Sequence, residues 1–249
     1  LFAKKLAGLM TVLVKDGFVK NPHLLFGQIC DYTDTHVLQL GQFEADNKMD
    51  TALTSMALLG GGGGSAGSHE AYELILWYMA NHVEMDCLEK RGEKGWLFMI
   101  GDEMANDYLT PDKVKKVFGL DIPAPVALKD ILKDLKEKFH VHWILPSGTM
   151  HWDDQKVRSH LRDCYGENVH FLEDPTAICE TIAGIIAAHE GFNISQINAA
   201  IGAMGGTTAA TAAATMAITS FIQRGTITKG GKSVASEELV TAEAGATRL

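Results

Sequence analysis

The 249-residue sequence predicts an α/β protein: a mostly parallel sheet covered by helices, with one antiparallel edge hairpin and a small helical C-terminal extension. Three observations carry that prediction. Apolar runs of strand length alternate with stretches of helical periodicity, the order that parallel strands joined by helices require. Five consecutive glycines, Gly60–Gly64, stand before an apolar helical stretch, and so costly a run persists only where the backbone must do something unusual. The run Trp96–Glu103 (WLFMIGDE) ends in two acids, at the carboxyl edge where open α/β sheets bind ligands.

The elements follow in order. Leu6, Leu9, Met10 and Leu13 give residues 1–14 helical spacing. His23–Cys30 reads as a strand, Asp31–Asp34 as a turn, and the alternating Val37–Phe43 as its hairpin partner. Asp46 or Asn47 can cap a helix through Met56. Beyond the glycines, Glu70–Asn81 is apolar on most faces and predicts a deeply buried helix. Glu84–Lys94 reads as a charged connection, and Trp96–Glu103 as a central strand, apolar on both faces.

Thr110-Pro111-Asp112 starts a helix that Gly119 ends. Ala127–Phe139 is amphipathic, with Leu128, Ile131, Leu132 and Leu135 inward. His140–Leu145 is a strand, Val157–Tyr165 a short helix and Asn168–Leu172 the last strand of the sheet. Asp174-Pro175 opens a helix through His189, closed by Gly191. An Ala-rich helix pair broken at Gly205-Gly206 forms the extension, and residues 225–249 read as a flexible tail.

Composition narrows the function. A net charge of −9 argues against nonspecific nucleic-acid binding, which needs a basic surface, and against a polybasic membrane anchor. The uncharged stretch 198–223 is dominated by Ala, Thr and Gly, which favours soluble helices over a membrane span. Cys30, Cys87, Cys164 and Cys179 are scattered without a CxxC pair, as expected of free thiols in a reducing, cytoplasmic compartment.

Asp102 and Glu103 are the leading site candidates, set against a plain role as helix cap or surface acids. Gly62-x-Gly64-x-x-Gly67 formally matches a dinucleotide fingerprint, but a helix end precedes it and no strand-terminal acid follows at the right distance. His140 and His142 fall on one face of a strand, the spacing of a metal pair, though packed histidines are the commoner outcome. Ser65 and Ser68 beside His69 lack a nucleophile-elbow motif, so acyl transfer is disfavoured.

Five segments carry a family resemblance: LQLGQFEAD (38–46), LLGGGGGSAGSHEAYELILWYMANH (58–82), EKRGEKGWLFMIGDEM (89–104), HVHWILPSGT (140–149) and FLEDPTAICETIAGII (171–186). Over residues 20–190 the chain resembles von Willebrand factor A-like (vWA) domains of bacterial and phage type. The resemblance implies a three-layer, Rossmann-like sheet with a metal-ion-dependent adhesion site for Mg²⁺ or Mn²⁺. It places Asp102 as the third-loop ligand and the glycine loop as the second, where Ser65, Ser68 or Glu70 stands in for the usual Thr. The first-loop Asp-x-Ser/Thr-x-Ser is absent from this sequence, so it either precedes Leu1 or the site is degenerate.

The resulting expectation is a non-enzymatic vWA-like domain over residues 1–190, a helical extension over 191–224 and a tail over 225–249. It binds a protein partner through the cation, with a MoxR-type AAA+ ATPase as the kind of partner the resemblance suggests. Self-association stays open, and neither nucleic acid nor membrane is expected. Two alternatives stand beside it. One is a metal-dependent hydrolase using Asp102, His140 and His142, and the other a metal-free assembly subunit.

Overall fold

A computed structural model of the chain describes residues 9–10, 12–13, 17–46, 48–57, 68–224, 227–229 and 232–234. The glycine run and Ser65 lie outside the described residues, as do most of residues 1–14, where a helix is expected, and most of the tail. The fold is mixed α/β, about half helix, with small sheets and several parallel strands. The chain forms two units: residues 24–143 with 150–166, and residues 1–23 with 144–149 and 167–249.

In the first of these units, β1 (Gly27–Ile29) and β2 (Leu38–Leu40) form the antiparallel hairpin expected there, pairing Gly27 with Leu40. Both strands are shorter than the apolar runs that announced them. Asp46 Oδ1 accepts the Lys48 N–H at 2.9 Å and so opens α1 (Lys48–Ser55). The expected helix from Glu70 starts two residues later. His69–Glu70 is instead a strand, β3, and α2 runs over Tyr72–His82 with almost every face buried. Residues 84–94, read as a connection, contain a short helix, α3 (Asp86–Arg91), that Gly92 closes in left-handed conformation (φ 68°).

The strand expected at Trp96–Glu103 is β4 (Gly95–Ile100), and it stops before both acids. It is half-buried, with Ile100 40 % exposed, so it is not the central strand its composition suggested. That place belongs to β8 (Phe139–Pro146), in which every residue but His140 is buried. Trp96 faces His140 and Phe98 faces His142, a constant offset that runs β4 and β8 in the same direction. Two-residue strands β5 (Met104–Ala105), β6 (Tyr108–Leu109) and β7 (Val126–Ala127) complete the pairings, β3 with β5 in parallel and β6 with β7 antiparallel.

Three further helices belong to this unit. Thr110-Pro111 starts α4 (Pro111–Phe118), which ends on Gly119 (φ 70°), as the sequence predicts. In α5 (Leu128–Lys138) the buried side chains are Leu128, Ile131, Leu132 and Leu135, one stripe at helical spacing, and the helix packs on α2. Asp154 accepts from the N–H groups of Lys156 and Val157 to cap α6 (Gln155–Tyr165).

The other unit is built mainly from helices. The end of β8 meets β9 (Val169–Leu172), where the Ser147 N–H donates to the Leu172 carbonyl at 2.8 Å. Asp174 caps a 3₁₀ turn (Pro175–Ala177), and α7 (Ile178–His189) follows, buried along nearly its whole length. A capping box of Asn193 and Gln196 opens α8 (Ile194–Gly202), and α9 (Thr208–Arg224) buries Ala210, Ala214, Ile218, Phe221 and Ile222. Gly184 lets α7 approach α9, since a Cβ there would collide with Ile218. Within the expected tail, the backbones of β10 (Ile227–Lys229) and β11 (Lys232–Val234) pair as a short hairpin.

Candidate functional site

The site begins where β4 ends. Gly101 follows Ile100 and packs so closely on Tyr72 that a Cβ would strike the phenol hydroxyl. The Gly101 carbonyl accepts the indole N–H of fully buried Trp143 at 2.9 Å, and Tyr72 meets the same indole edge-on at 4.8 Å. The Tyr72 hydroxyl also hydrogen-bonds the Glu103 backbone. These contacts turn the chain sharply, so that Asp102 and Glu103 leave the strand as a bend. Asp102 Oδ2 accepts the His151 N–H at 3.1 Å, which ties the bend to the loop before α6.

Strand β3 brings a further acid, Glu70. Its parallel register sets His69 against Met104 and Glu70 against Ala105, and the Met104 N–H donates to the Ser68 carbonyl at 2.9 Å. Ser68 adopts φ 63°, an unusual conformation for a residue other than glycine, as the chain turns into the strand. Glu70 therefore lies close to Glu103. Its Oε2 is buried and has no hydrogen-bond partner. Burial, followed by the charges of Glu103, Asp31 and Asp34, pushes the Glu70 carboxyl up to about 7. Glu103 is raised as well, by burial and then by Asp102, with His151 and His69 opposing.

A third segment contributes acids that sequence reading left unassigned. The segment after β1 is the turn that the sequence predicts, and its side chains add to the site. Asp31 is 2 % exposed; its Oδ1 accepts the Thr33 N–H, and its own N–H donates to Asp34 Oδ2 at 2.9 Å. The charges of Asp31 and Asp34 both raise Glu70, and Tyr32 of the same turn hydrogen-bonds Glu73, three residues on from Glu70. The spacing of acids in Asp31-Tyr32-Thr33-Asp34 was the available signal. Nothing local says which strand end it faces.

Beneath the acids lies a fully buried carboxylate, Glu73. It accepts the Tyr32 hydroxyl at 2.7 Å, the Asn106 N–H at 3.2 Å and the Asn106 side-chain amide at 3.1 Å. Lys113 Nζ stands 3.5 Å from the same carboxylate and 4.1 Å above the Tyr32 ring. Lys116 Nζ donates to the Tyr32 carbonyl at 2.8 Å.

Of the expected site residues, the structure brings Glu70 near Glu103, which Asp102 precedes in the chain. Ser68 enters through its backbone, and Ser65 lies outside the described residues. His140 and His142 share a strand face as expected, but each packs against an aromatic ring of β4, and His142 is fully buried on Phe98 at 5.1 Å. Among the described residues, no three His, Cys, Asp or Glu side chains stand close enough together to hold a metal ion by themselves. No described helix is long and apolar enough to cross a membrane. Compared with known proteins, the chain matches no family model, no curated protein and no solved structure.

Proposed function

We propose that the chain is a vWA-like protein-interaction module, with a three-layer Rossmann-like sheet, that engages its partner through a divalent cation. The cation is Mg²⁺ or Mn²⁺, held at the edge that Asp102 and Glu70 border, with Ser65 and Ser68 as the further ligands that the family resemblance suggests. The observation that carries this reading is the buried, unpartnered Oε2 of Glu70, set among the charges of Glu103, Asp31 and Asp34. Like charges gathered in a partly buried pocket repel one another, and a bound cation offsets that repulsion.

The donor set fits this kind of ion. Every candidate ligand is oxygen, as hard cations prefer, and Mg²⁺ needs only one or two carboxylates because it keeps several waters. Such an ion would supply an open coordination position for a partner's carboxylate. The role is recognition, without turnover. The family resemblance adds a MoxR-type AAA+ ATPase as the kind of partner to test first.

The test is a thermal-unfolding series in EDTA, Mg²⁺ and Mn²⁺. Both ions should raise the midpoint of the unmodified protein, and Asp102→Ala should remove that rise. A rise that persists in Asp102→Ala overturns the assignment.

A further inference from the structure

We infer that Glu73 is a positioning residue, fastening the Asp31–Asp34 turn and the Asp102–Asn106 segment to the helix end beside Glu70 and so holding in place the edge at which the cation binds. The inference rests on the cation-binding reading above.

Glu73 lies three residues beyond Glu70, in the first turn of α2, so the helix that carries it also sets the end of β3. Its two oxygens are divided between the acid-bearing segments. The Tyr32 hydroxyl, in the middle of the Asp31–Asp34 turn, donates to Oε1 at 2.7 Å. Asn106, the residue directly after the end of β5, donates its backbone N–H to Oε2 at 3.2 Å and its amide to both oxygens at 3.1 Å. The same amide reaches back to the Glu70 carbonyl at 3.4 Å. One side chain thus bonds the turn bearing Asp31 and Asp34 and the segment bearing Asp102 and Glu103, while its partner Asn106 also bonds Glu70.

The physical need is clear. Asp31, Glu70 and Glu103 repel one another, and an unfastened turn would relax by moving apart. A buried acceptor with four hydrogen bonds from three donor groups, and a nearby ammonium, resists that movement, because releasing any donor leaves a polar group unpaired in the interior. Glu73 itself is 0 % exposed, so it acts on a bound ion only through the segments it holds.

The experiment is a Mn²⁺ titration of the full chain, followed by electron paramagnetic resonance and paired with thermal unfolding in EDTA. The variants are Tyr32→Phe, Asn106→Ala and Glu73→Gln, with Ile131→Val in α5 as a destabilised control. Tyr32→Phe removes one hydroxyl and keeps the ring under Lys113, so it remains informative where Glu73→Gln does not fold. Loss of positioning should weaken Mn²⁺ binding roughly three- to tenfold in each site variant. The control should lose stability and keep its affinity. Tyr32→Phe and Asn106→Ala that fold and bind Mn²⁺ within twofold of the unmodified protein overturn the inference alone. Absence of Mn²⁺ binding in the unmodified protein overturns the cation reading and this inference with it.

Discussion

The backbone N–H of His151 donates to Asp102 Oδ2 at 3.1 Å, joining the end of β4 to the loop that precedes α6. Asp102 therefore has a structural bond as well as a charge, and the two are separable. Asp102→Asn retains a carbonyl acceptor for His151 and removes the charge. Its unfolding free energy should stay within about 0.5 kcal/mol of the unmodified protein, against a loss of about 1 kcal/mol for Asp102→Ala. The rise in midpoint with Mg²⁺ should vanish in both. A normal Mg²⁺ response in Asp102→Asn would exclude this carboxylate as a ligand.

Glu70 gives the acidic pocket a pH dependence of definite sign. Its carboxyl is raised to about 7, above its ordinary value of 4.5, so the folded chain holds a proton that the unfolded chain releases. Stability should then fall as pH rises from about 4.5 to about 7, by about 1–2 kcal/mol once solvent screening of this partly buried group is allowed for. Urea unfolding in EDTA at several pH values checks this, with Glu70→Gln as the comparison. The variant should lack this decline and be the more stable form at pH 7.5. Parallel pH profiles for the two proteins would refute the assignment.

Histidine 170 predicts the opposite trend in the helical unit. It is 1 % exposed on β9, and burial, followed by the charges of Arg224 and His189, lowers it to about 3. A histidine kept neutral by the fold contributes stability above its unfolded value of 6.5, which is lost as pH falls toward 3. The loss at pH 4.5 should be about 2–3 kcal/mol. His170→Phe should flatten that acid limb, and far-UV circular dichroism during acid titration measures it. An unchanged limb would place the acid sensitivity elsewhere.

Gly101 should be intolerant of any side chain. A Cβ would strike the Tyr72 hydroxyl, and Tyr72 has little room to yield because it is buried against Trp143. Gly101→Ala should cost about 2–3 kcal/mol, the range for overpacking a well-filled core. Denaturant midpoints should drop accordingly, and Gly101→Ala combined with Tyr72→Phe should recover part of the loss. A Gly101→Ala protein of full stability would show that the bend is looser than the packing implies.

Local chemistry was legible in the sequence by itself. The helical stripe Leu128, Ile131, Leu132 and Leu135, the Thr110-Pro111 start, the Gly119 stop and the Asp174 cap all follow from interactions within a few residues. The edge hairpin and the helix break at Gly205-Gly206 were legible for the same reason. Asp102 and Glu103 could be placed at a strand end because the apolar run stops there.

Tertiary structure decided the rest. Composition made β4 look central, yet pairing buried β8, because burial depends on neighbours that no local window contains. Helical periodicity from Glu70 hid the short strand β3, since only its distant partner Met104–Ala105 makes those two residues a strand. The pocket itself joins acids at positions 31, 70 and 103, which are distant along the chain. Their convergence comes from strand pairing and from the Glu73 hydrogen bonds, and both are long-range contacts.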